Sequence, residues 1–375
     1  MEDGQQFNSM SMFWCKNCLN TSTRPRITFD KRGYCNACQW SEEKKNIDWV
    51  SRQNIFKKTL KKNKGNYDCI IPVSGGKDGS YVAYTLKKKF NVNPLTVTVR
   101  PPLELELGNK NLKNFIESGF DHLHISPNRE VLRQIDKAGF IHKGFPYYGW
   151  LIAIHTAILN LAVSLNINLI VYGEDGEVEY GGSNKTKNKP FYKPKYQKKI
   201  YLESGYEKVL NKIEIKKSEK FFFNFPTDKL LKKVKITHWS YFENWDSYRN
   251  YVVAKKYCGL DEKKETNPGT FTNFAQNDQA LYSLHTYMMY LKFGFGRATQ
   301  DAGIEIRRGA MTRNQAKNLV NLYDNQYPTE YINIYLDYYK MTKKTFQNIL
   351  DKWANKKLFN KDKDNGMWKP KFVVK

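Results

Sequence analysis

Apolar runs and helical patterns alternate along the middle of the chain. Short apolar runs are typical of buried strands, whereas apolar residues that recur every three or four positions are typical of helices. The predicted strands are 69–73, 95–99, 122–125 and 169–172, and the predicted helices are 80–90, 109–117, 128–138 and 150–165. This alternation, which ends with 169–172, predicts an α/β fold with helices on both faces of a parallel sheet.

The flanking regions differ in pattern from this alternation. A cysteine-rich segment precedes it, and a charged helical connector at 41–62 joins the two. The end of the chain is rich in Lys and Tyr and is helical in pattern. We therefore predict three parts: an N-terminal ribbon and linker at 1–50, an α/β domain at 51–260, and a mainly helical C-terminal region at 261–375 that contributes to the substrate site.

The most informative motif follows the first predicted strand. Residues 73–80 read Val-Ser-Gly-Gly-Lys-Asp-Gly-Ser and lead into a predicted helix. Backbone N–H groups and the helix dipole favour an anion at such a helix N-terminus, and glycine lets a phosphate approach closely. Lys77 adds a positive charge, and Asp78 offers a magnesium ligand or a cap. A glycine turn that only caps the helix is the alternative interpretation.

This motif resembles the pyrophosphate loop, or PP-loop, of enzymes that split ATP into AMP and pyrophosphate. Gly79 departs from that pattern, since the loop usually has its first serine there. The resemblance implies that the chain binds ATP and that Lys77 and Asp78 take part in catalysis. The residues predicted to bind ATP are Ser74, Gly75, Gly76, Lys77, Asp78, Gly79, Ser80 and, after a later strand, Gly173.

Two further loops are predicted at the same edge of the sheet, because ligands of parallel sheets bind beyond the carboxyl ends of the strands. They are residues 100–108 and 173–182, and the second reads Gly-Glu-Asp-Gly-Glu-Val-Glu-Tyr-Gly-Gly. Its carboxylates suit a bound cation, since Mg²⁺ prefers hard oxygen ligands. We predict that Glu174 and Asp175 are catalytic and hold Mg²⁺ on the pyrophosphate. A solvated acidic turn is the alternative.

Four of the six cysteines form two close pairs near the N-terminus. Cys15 and Cys18 are separated from Cys35 and Cys38 by 16 residues, which lies within the spacing of a four-thiolate zinc ribbon. Four protein ligands leave no position for water, so the predicted Zn²⁺ is structural. Two disulfides are the alternative, and a cytosolic setting disfavours them.

A third group of charged residues surrounds the sequence Phe-Gly-Phe-Gly near residue 295. Arg297 and Asp301 are four residues apart on one predicted helix face, so the acid can hold the guanidinium group in place. We predict that Lys292, Arg297 and Arg307 bind a phosphate or a sugar carboxylate. An ion-paired surface helix is the alternative.

The chain carries 62 Lys and Arg against 37 Asp and Glu, a net charge of +25. This charge suits RNA, nucleotides and anionic sugars, yet the spread of lysines also fits the codon bias of an AT-rich genome. Residues 184–200 contain seven Lys and no acid, and we expect a mobile loop that covers an anionic substrate; a loop that is merely solvated is the alternative. No apolar run approaches the length of a membrane span and residues 1–12 do not form a signal peptide, so we expect no membrane association and a cytoplasmic protein.

In their order along the chain, these motifs resemble one family, the N-acetyl sugar amidotransferases of bacterial surface-polysaccharide, pseudaminic acid and legionaminic acid synthesis. The resemblance covers roughly residues 12–325. It rests on the four cysteines with Thr23-Arg-Pro and Phe29-Asp, and on Ser74-Gly-Gly-Lys-Asp, Gly173-Glu-Asp, Thr237-His-Trp and Phe293-Gly-Phe-Gly-Arg-Ala-Thr. It implies an adenine-nucleotide-hydrolase-like (PP-loop) fold, preceded by a small zinc ribbon and followed by a mainly helical C-terminal region.

The resemblance also implies a reaction. The expected enzyme is an ATP-dependent amidotransferase that converts the acetamido group of a nucleotide-activated sugar, such as a pseudaminic, legionaminic or uronic acid derivative, into an acetamidino group. AMP and pyrophosphate are the expected products, and surface glycan synthesis or flagellin glycosylation is the expected process. The implied partners are a glutaminase subunit and a barrel subunit similar to the histidine-biosynthesis pair, which supply ammonia; nucleic acid is not expected.

Two other functions stay open. A tRNA-modifying sulfurtransferase also pairs a zinc ribbon with a PP-loop, and the positive charge suits RNA. Sulfur transfer needs a cysteine that carries persulfide or a set that holds an iron–sulfur cluster, and only Cys69 and Cys258 remain. Neither has a context suited to glutamine hydrolysis, so ammonia must come from another subunit or from solution. The second alternative, a non-catalytic zinc-ribbon RNA-binding protein, gives the intact Ser74-Gly-Gly-Lys-Asp sequence no role.

Overall fold

A computed structural model of the chain describes residues 12–60 and 66–375. The strands are β1 (Cys69–Pro72), β2 (Pro94–Val99), β3 (His122–Ile125), β4 (Leu169–Tyr172), β5 (Lys235–His238), β6 (Phe359–Lys361) and β7 (Trp368–Pro370). The helices are α1 (Asn36–Glu43), α2 (Trp49–Leu60), α3 (Lys77–Phe90), α4 (Glu106–Glu117), α5 (Arg129–Lys143), α6 (Tyr148–Ser164), α7 (Gly176–Tyr180), α8 (Pro194–Tyr196), α9 (Tyr206–Leu210), α10 (Ser247–Cys258), α11 (Leu281–Phe293), α12 (Arg297–Arg307), α13 (Arg313–Tyr323), α14 (Ile332–Tyr339) and α15 (Lys343–Trp353). Among the helices of these ranges, none combines the length and the apolar character needed to span a membrane.

Two expectations fall partly outside the described residues. The question of a signal peptide concerns residues 1–12, of which 1–11 are not described. The predicted connector 41–62 corresponds to α1 and α2 as far as residue 60, and its last two residues lie beyond the described range.

Five strands form one parallel sheet in the order β3-β2-β1-β4-β5. Parallel neighbours cannot be joined by a hairpin, so each connection crosses one face of the sheet. Side chains of a strand alternate between the faces, and β1 shows this: Ile70 belongs to one apolar cluster, whereas Cys69 and Ile71 belong to another. The first cluster includes residues of α5, α6 and α11, and the second includes residues of α3, α4 and α10. The predicted α/β class, with helices on both faces, is confirmed.

The four predicted strands are all present, and each predicted helix overlaps an observed one. The expectation that the series ends with 169–172 is wrong, because β5 pairs in parallel with β4 and places Ile236 opposite Ile170. The sequence of β5, Lys-Ile-Thr-His, contains one aliphatic residue, so it carries no apolar run. Its partner β4 and the aromatic residues around it supply the packing that the strand itself lacks.

The C-terminal region is mainly helical, as predicted, and it ends in the antiparallel pair β6 and β7. Its helices pack into the same apolar cluster as the sheet, since Leu284 and Phe346 lie with Ile70 and Leu95 in that cluster. Residue Leu19 of the ribbon packs with α12 and α13. The boundary predicted at residue 260 stays a prediction.

The Lys-rich segment 184–200 packs against the edge of the sheet. Tyr192 N donates to Ile236 O over 3.0 Å, and the side chains of Tyr192 and Gln197 are buried. The segment is therefore packed against the sheet in this structure, and its predicted role as a lid over an anionic substrate stays a prediction. The tyrosines of the segment supply the contacts, while most of its lysines point to solvent.

Candidate active site

A cavity of about 560 Å³ opens at the carboxyl ends of β1, β2 and β4. This is the position at which parallel α/β sheets bind ligands, and the volume suits a small molecule. Of the predicted site residues, those that line it are Ser74, Gly75, Gly76, Lys77, Asp78, Gly79, Gly173, Glu174 and Arg297. The cavity therefore brings together the PP-loop, the loop after β4 and the start of α12.

The PP-loop makes close contacts with neighbouring backbone at two of its glycines. Gly75 has a φ of +78°, and a Cβ atom there would lie 2.5 Å from Leu112 N in α4. A Cβ atom at Gly79 would lie 3.2 Å from Val73 Cα, so the glycine in the usual serine position lets α3 pack against the end of β1. The N-terminus of α3 thus faces the cavity, and its unpaired N–H groups form an anion site.

Asp78 is held in place by partners from α3 and from the region of α10. Its Oδ1 accepts hydrogen bonds from Trp245 Nε1 at 2.9 Å and from Asn250 Nδ2 at 2.7 Å, and its Oδ2 forms an ion pair with Lys77. Burial raises the pKa of a carboxyl group, but Lys77 and these donors outweigh burial and keep the pKa of Asp78 below its usual value. Asp78 is therefore a fixed, ionised carboxylate at the cavity wall.

The adjacent acids after β4 face different spaces. Glu174 lines the cavity, where burial and the charge of Asp78 raise its pKa to about 7. Asp175 caps α7 and accepts hydrogen bonds from Tyr201 Oη, at 2.9 Å, and from Thr186 Oγ1. The carboxylates that could hold a divalent cation in the cavity are Asp78 and Glu174, and the predicted pairing of Glu174 with Asp175 does not fit this geometry.

Three further predicted residues lie away from the cavity. Ser80 Oγ is buried in the first turn of α3 without a hydrogen-bond partner. Lys292 Nζ donates to Lys143 O at 3.0 Å, because this end of α11 faces α5 and α15. Arg307 donates to Glu179 O at 3.0 Å, between α12 and α7. Their predicted roles in binding ATP or substrate do not fit these positions.

Arg297 begins α12 and presents its guanidinium group to the cavity. Nε donates to Asp301 Oδ1 over 2.8 Å, as the spacing of four residues predicts, and Thr270 Oγ1 donates to the other oxygen of Asp301 at 2.6 Å. Burial lowers the pKa of such a group, but Asp301 and Tyr180 outweigh burial and raise it. The cavity thus contains a braced cation that can bind an anionic group.

An aromatic wall lines the same cavity as the PP-loop, and none of the sequence motifs predicts it. It consists of Tyr147 and Trp150 near the start of α6 and Tyr282 on α11, with ring centroids of Tyr147 5.7 Å from Trp150 and 5.3 Å from Tyr282. His285 lies beside Tyr147, and its Nδ1 is buried without a partner. From the sequence alone these aromatic residues cannot be distinguished from core residues, because only the fold shows that they border a cavity.

His238, at the end of β5, also borders the cavity. From the sequence we interpret His238 as structural, because a lone histidine next to a tryptophan is more often structural than catalytic. Its Nε2 lies 3.3 Å from both Tyr192 Oη and Tyr201 Oη. Burial lowers its pKa and Asp175 offsets this only in part, so His238 is neutral at neutral pH.

The four ribbon cysteines converge on one point. Their sulfur atoms all lie within 4.8 Å of one another, with 3.7 Å between Cys15 and Cys38 and 3.6 Å between Cys18 and Cys35. A tetrahedral ion with Zn–S bonds of about 2.3 Å requires sulfur separations of about 3.8 Å. The cluster therefore fits a single metal ion, and its sulfurs are much farther apart than the roughly 2.05 Å of a disulfide.

Hydrogen bonds join the ribbon to α7. Asn20 Nδ2 donates to Tyr180 O at 3.0 Å, Asn36 Nδ2 donates to Gly182 O at 2.6 Å, and Trp40 Nε1 donates to Glu179 at 2.9 Å. Because α7 begins two residues after Glu174 and contributes Gly176 and Tyr180 to the cavity lining, the ribbon supports one wall of the cavity.

Comparison with known proteins adds one decisive match. Residues 268–373 match the family described as LPS biosynthesis protein WbpG-like, C-terminal domain. The C-terminal region is thus similar to the WbpG-like C-terminal domain. This confirms, over less than a third of the chain, the family resemblance that the motifs predict. Arg297 and Tyr282 lie within the matched residues, so the region similar to the WbpG-like domain lines the same cavity as the PP-loop.

Other similarities are more limited. Uncharacterized protein MJ1599 of Methanocaldococcus jannaschii is 33% identical over 94 residues, which are 23% of this chain and 32% of that protein. The match thus spans about a third of this curated relative. The U34-tRNA thiolase NcsA from Methanococcus maripaludis, solved with its [4Fe-4S] cluster, is 17% identical with a TM-score of 0.32, covering 80% of this chain and 88% of that one. A predicted tRNA methyltransferase subunit of M. jannaschii is also 17% identical, with a TM-score of 0.23 and coverage of 38% and 73%. At these TM-scores neither structure bears on function.

Proposed function

We propose that the chain is an ATP-dependent amidotransferase that converts the acetamido group of a nucleotide-activated sugar into an acetamidino group for surface-polysaccharide synthesis. The observation that carries this proposal is that the PP-loop and the WbpG-like domain line one cavity. A nucleotide-activating loop and a domain shared with LPS biosynthesis proteins therefore meet where two substrates can react.

The chemistry needs activation because an amide carbonyl is a poor electrophile. The amide oxygen attacks the α-phosphorus of ATP, the new O–P bond forms, and pyrophosphate leaves with the electrons of the broken P–O bond. Ammonia then attacks the imidate carbon, so that a C–N bond forms, the C–O bond breaks and AMP leaves. Two hydrogens of the ammonia stay on the amidinium product, and the third is released as a proton.

The residues of the cavity have distinct roles in this scheme. The N–H groups at the start of α3, together with Lys77, stabilise the charge that develops on pyrophosphate. Asp78 and Glu174 would hold Mg²⁺, which neutralises phosphate charge when bound. Arg297 binds an anionic group of the sugar substrate, and the aromatic wall packs against the sugar ring. The ribbon cysteines would hold a structural Zn²⁺ that takes no part in the chemistry.

Nitrogen must reach this chain from outside. Burial raises the pKa of Cys69 above its usual value and that of Cys258 to about 11, so neither is a reactive thiolate. The other four thiols form the metal cluster. A glutaminase subunit with a barrel subunit, or free ammonia, would supply the nitrogen, and the same lack of a reactive thiol disfavours sulfur transfer to tRNA.

The test is incubation of the full chain with ATP, Mg²⁺, ammonium at alkaline pH and a panel of UDP- and CMP-linked acetamido sugars that includes uronic acids. We expect AMP, pyrophosphate and a sugar product whose mass has changed by replacement of O with NH. Glutamine alone should not support the reaction. Asp78→Ala should abolish AMP formation, whereas Asp337→Ala, an exposed change on α14, should not. Formation of ADP and phosphate, or efficient turnover with glutamine alone, would contradict the proposal.

A further inference from the structure

A small chamber lies behind one wall of the main cavity. Its volume is about 20 Å³, and Tyr192 and His238 line both spaces. The rings of these residues are stacked, with centroids 5.1 Å apart and an interplanar angle of 15°. On its other side the chamber is bordered by Lys189, which is exposed, and by Tyr241, which is partly exposed. The stacked pair therefore separates a surface opening from the cavity.

The size and lining of this chamber suit one small polar molecule. A volume of about one probe sphere, on the order of 10–15 Å³, is enough to hold a water molecule, so the chamber admits one such molecule. Asp175 and Glu179 contribute carboxylates, and Thr186 and Ser240 contribute hydroxyl groups. Ammonia has nearly the size of water, and it can donate hydrogen bonds to the acids and accept one from a hydroxyl group.

We propose that this chamber is the port through which ammonia reaches the active site, with Tyr192 and His238 as its inner gate. The proposal rests on the amidotransferase function proposed above. His238 Nε2 lies 3.3 Å from Tyr192 Oη, at the long end of hydrogen bonding. A small turn of the Tyr192 ring breaks this contact and joins the two spaces, while the backbone of Tyr192 stays attached to β5.

The port can be narrowed by a single methyl group. Ser240 lines the chamber, and its Oγ accepts a hydrogen bond from Asp175 N at 3.0 Å. Ser240→Thr keeps this hydroxyl group and adds the methyl. We expect the KM for ammonia to rise about tenfold, because the added methyl group takes up volume in the chamber, while the KM values for ATP and sugar stay unchanged. Ser283→Thr, at a similarly buried serine on α11 that borders neither space, should leave all three KM values unchanged.

A larger amine gives an independent measurement. The reaction is measured with a sugar of the panel that the wild type converts. Wild type should react far faster with ammonia than with methylamine, and Ser240→Gly should reduce this difference in rate. An unchanged ammonia KM in Ser240→Thr, or wild type that uses methylamine as well as ammonia, would overturn the port while leaving the proposed function intact. Failure of wild type to form AMP with every sugar would overturn the proposed function and, with it, the port.

Discussion

At the level of single residues, Asp78 and Glu174 show how neighbours decide the charge of a buried acid. Both line the same cavity, yet Asp78 receives an ion pair and two hydrogen bonds that lower its pKa, whereas burial and the charge of Asp78 raise the pKa of Glu174 to about 7. Carboxyl groups with pKa values moved apart are typical of functional sites. The pair therefore supports the assignment of this cavity as the active site.

A third buried acid, Asp136 on α5, allows a prediction about how the stability of the protein depends on pH. Its Oδ1 accepts from Trp150 N at 3.1 Å and its Oδ2 accepts from Tyr338 Oη at 2.7 Å, and burial raises its pKa to about 7. In the unfolded chain the pKa is about 3.9. The folded state thus holds this proton more tightly, and its contribution to the free energy of unfolding is lost as pH rises from about 4 to about 7.

Asp136→Asn should remove the loss of stability that the ionisation of Asp136 causes as pH rises. Between pH 5 and pH 8, the free energy of unfolding of wild type should fall by about 2–3 kcal/mol more than that of the variant. Urea titrations at the two pH values measure this difference. Asp337→Asn, an exposed change on α14, should leave the pH dependence of wild type unchanged. Parallel pH profiles for wild type and Asp136→Asn would show that Asp136 ionises normally.

The residue positions that sequence predicts well are those fixed by local geometry. The PP-loop and the Arg297–Asp301 pair depend on a few consecutive residues, and both have the expected geometry. Glu174 and Asp175 could not be told apart, because adjacent side chains after a strand point in opposite directions. The direction of the Lys292 side chain could not be predicted from the sequence, because it depends on how α11 packs against α5 and α15.

At the level of elements, the aromatic wall of the cavity depends on a short backbone pairing. Leu105 N donates to Asp278 O at 3.2 Å, and Ala280 N donates to Leu103 O at 2.9 Å. This pairing attaches the segment before α11 to the chain that follows β2. The sequence between residues 261 and 280 has no periodic pattern, so neither the pairing nor the aromatic wall could be predicted from it.

Gly108, in the first turn of α4, allows this pairing. A Cβ atom there would lie 2.4 Å from Asp278 Cα and 2.7 Å from Asn277 O. Gly108→Ala should therefore displace residues 277 and 278 and raise the KM for sugar at least about tenfold. The PP-loop keeps its own contacts, so the affinity for ATP, measured by calorimetry, should change much less.

Gly303→Ala on α12 is a matched control for Gly108→Ala, because a Cβ atom there would meet only the flexible end of Arg307. A Gly108→Ala variant with unchanged sugar kinetics would mean that this pairing does not shape the substrate side of the cavity.

At the level of the whole molecule, the ribbon is structurally coupled to the active site through α7. We predict about one Zn²⁺ per chain, bound by the four cysteines. Cys38→Ser should lower zinc content and thermal stability, and it should also reduce AMP formation, because Asn20 and Asn36 would no longer hold α7 beside Glu174.

Elemental analysis, thermal unfolding and the AMP assay measure these three effects. Cys258→Ser is the control, because this buried thiol lies outside the ribbon and its loss should leave zinc content unchanged. Wild type that contains no zinc, or ribbon cysteines joined as disulfides, would refute the metal site.

The sequence predicts the order of the parts better than their relation to one another. The ribbon, the parallel sheet and the helical C-terminal region are all present in the expected order. Periodicity reports only on neighbouring residues, however, and it does not show which elements share a core. The C-terminal helices pack with Ile70 and Leu95 of the sheet, and residues of α11 and α12 complete the lining of the cavity through that packing.

The pairing of residues 103–105 with 278–280 also affects how the chain folds during synthesis. Its two sides are separated by almost half of the chain, and contacts between such distant positions slow folding. The ribosome releases the PP-loop and β2 well before the segment that pairs with them. Until α14 is made and packs against α5, the nascent chain exposes apolar surface, and surface of this kind makes an incomplete chain prone to aggregation.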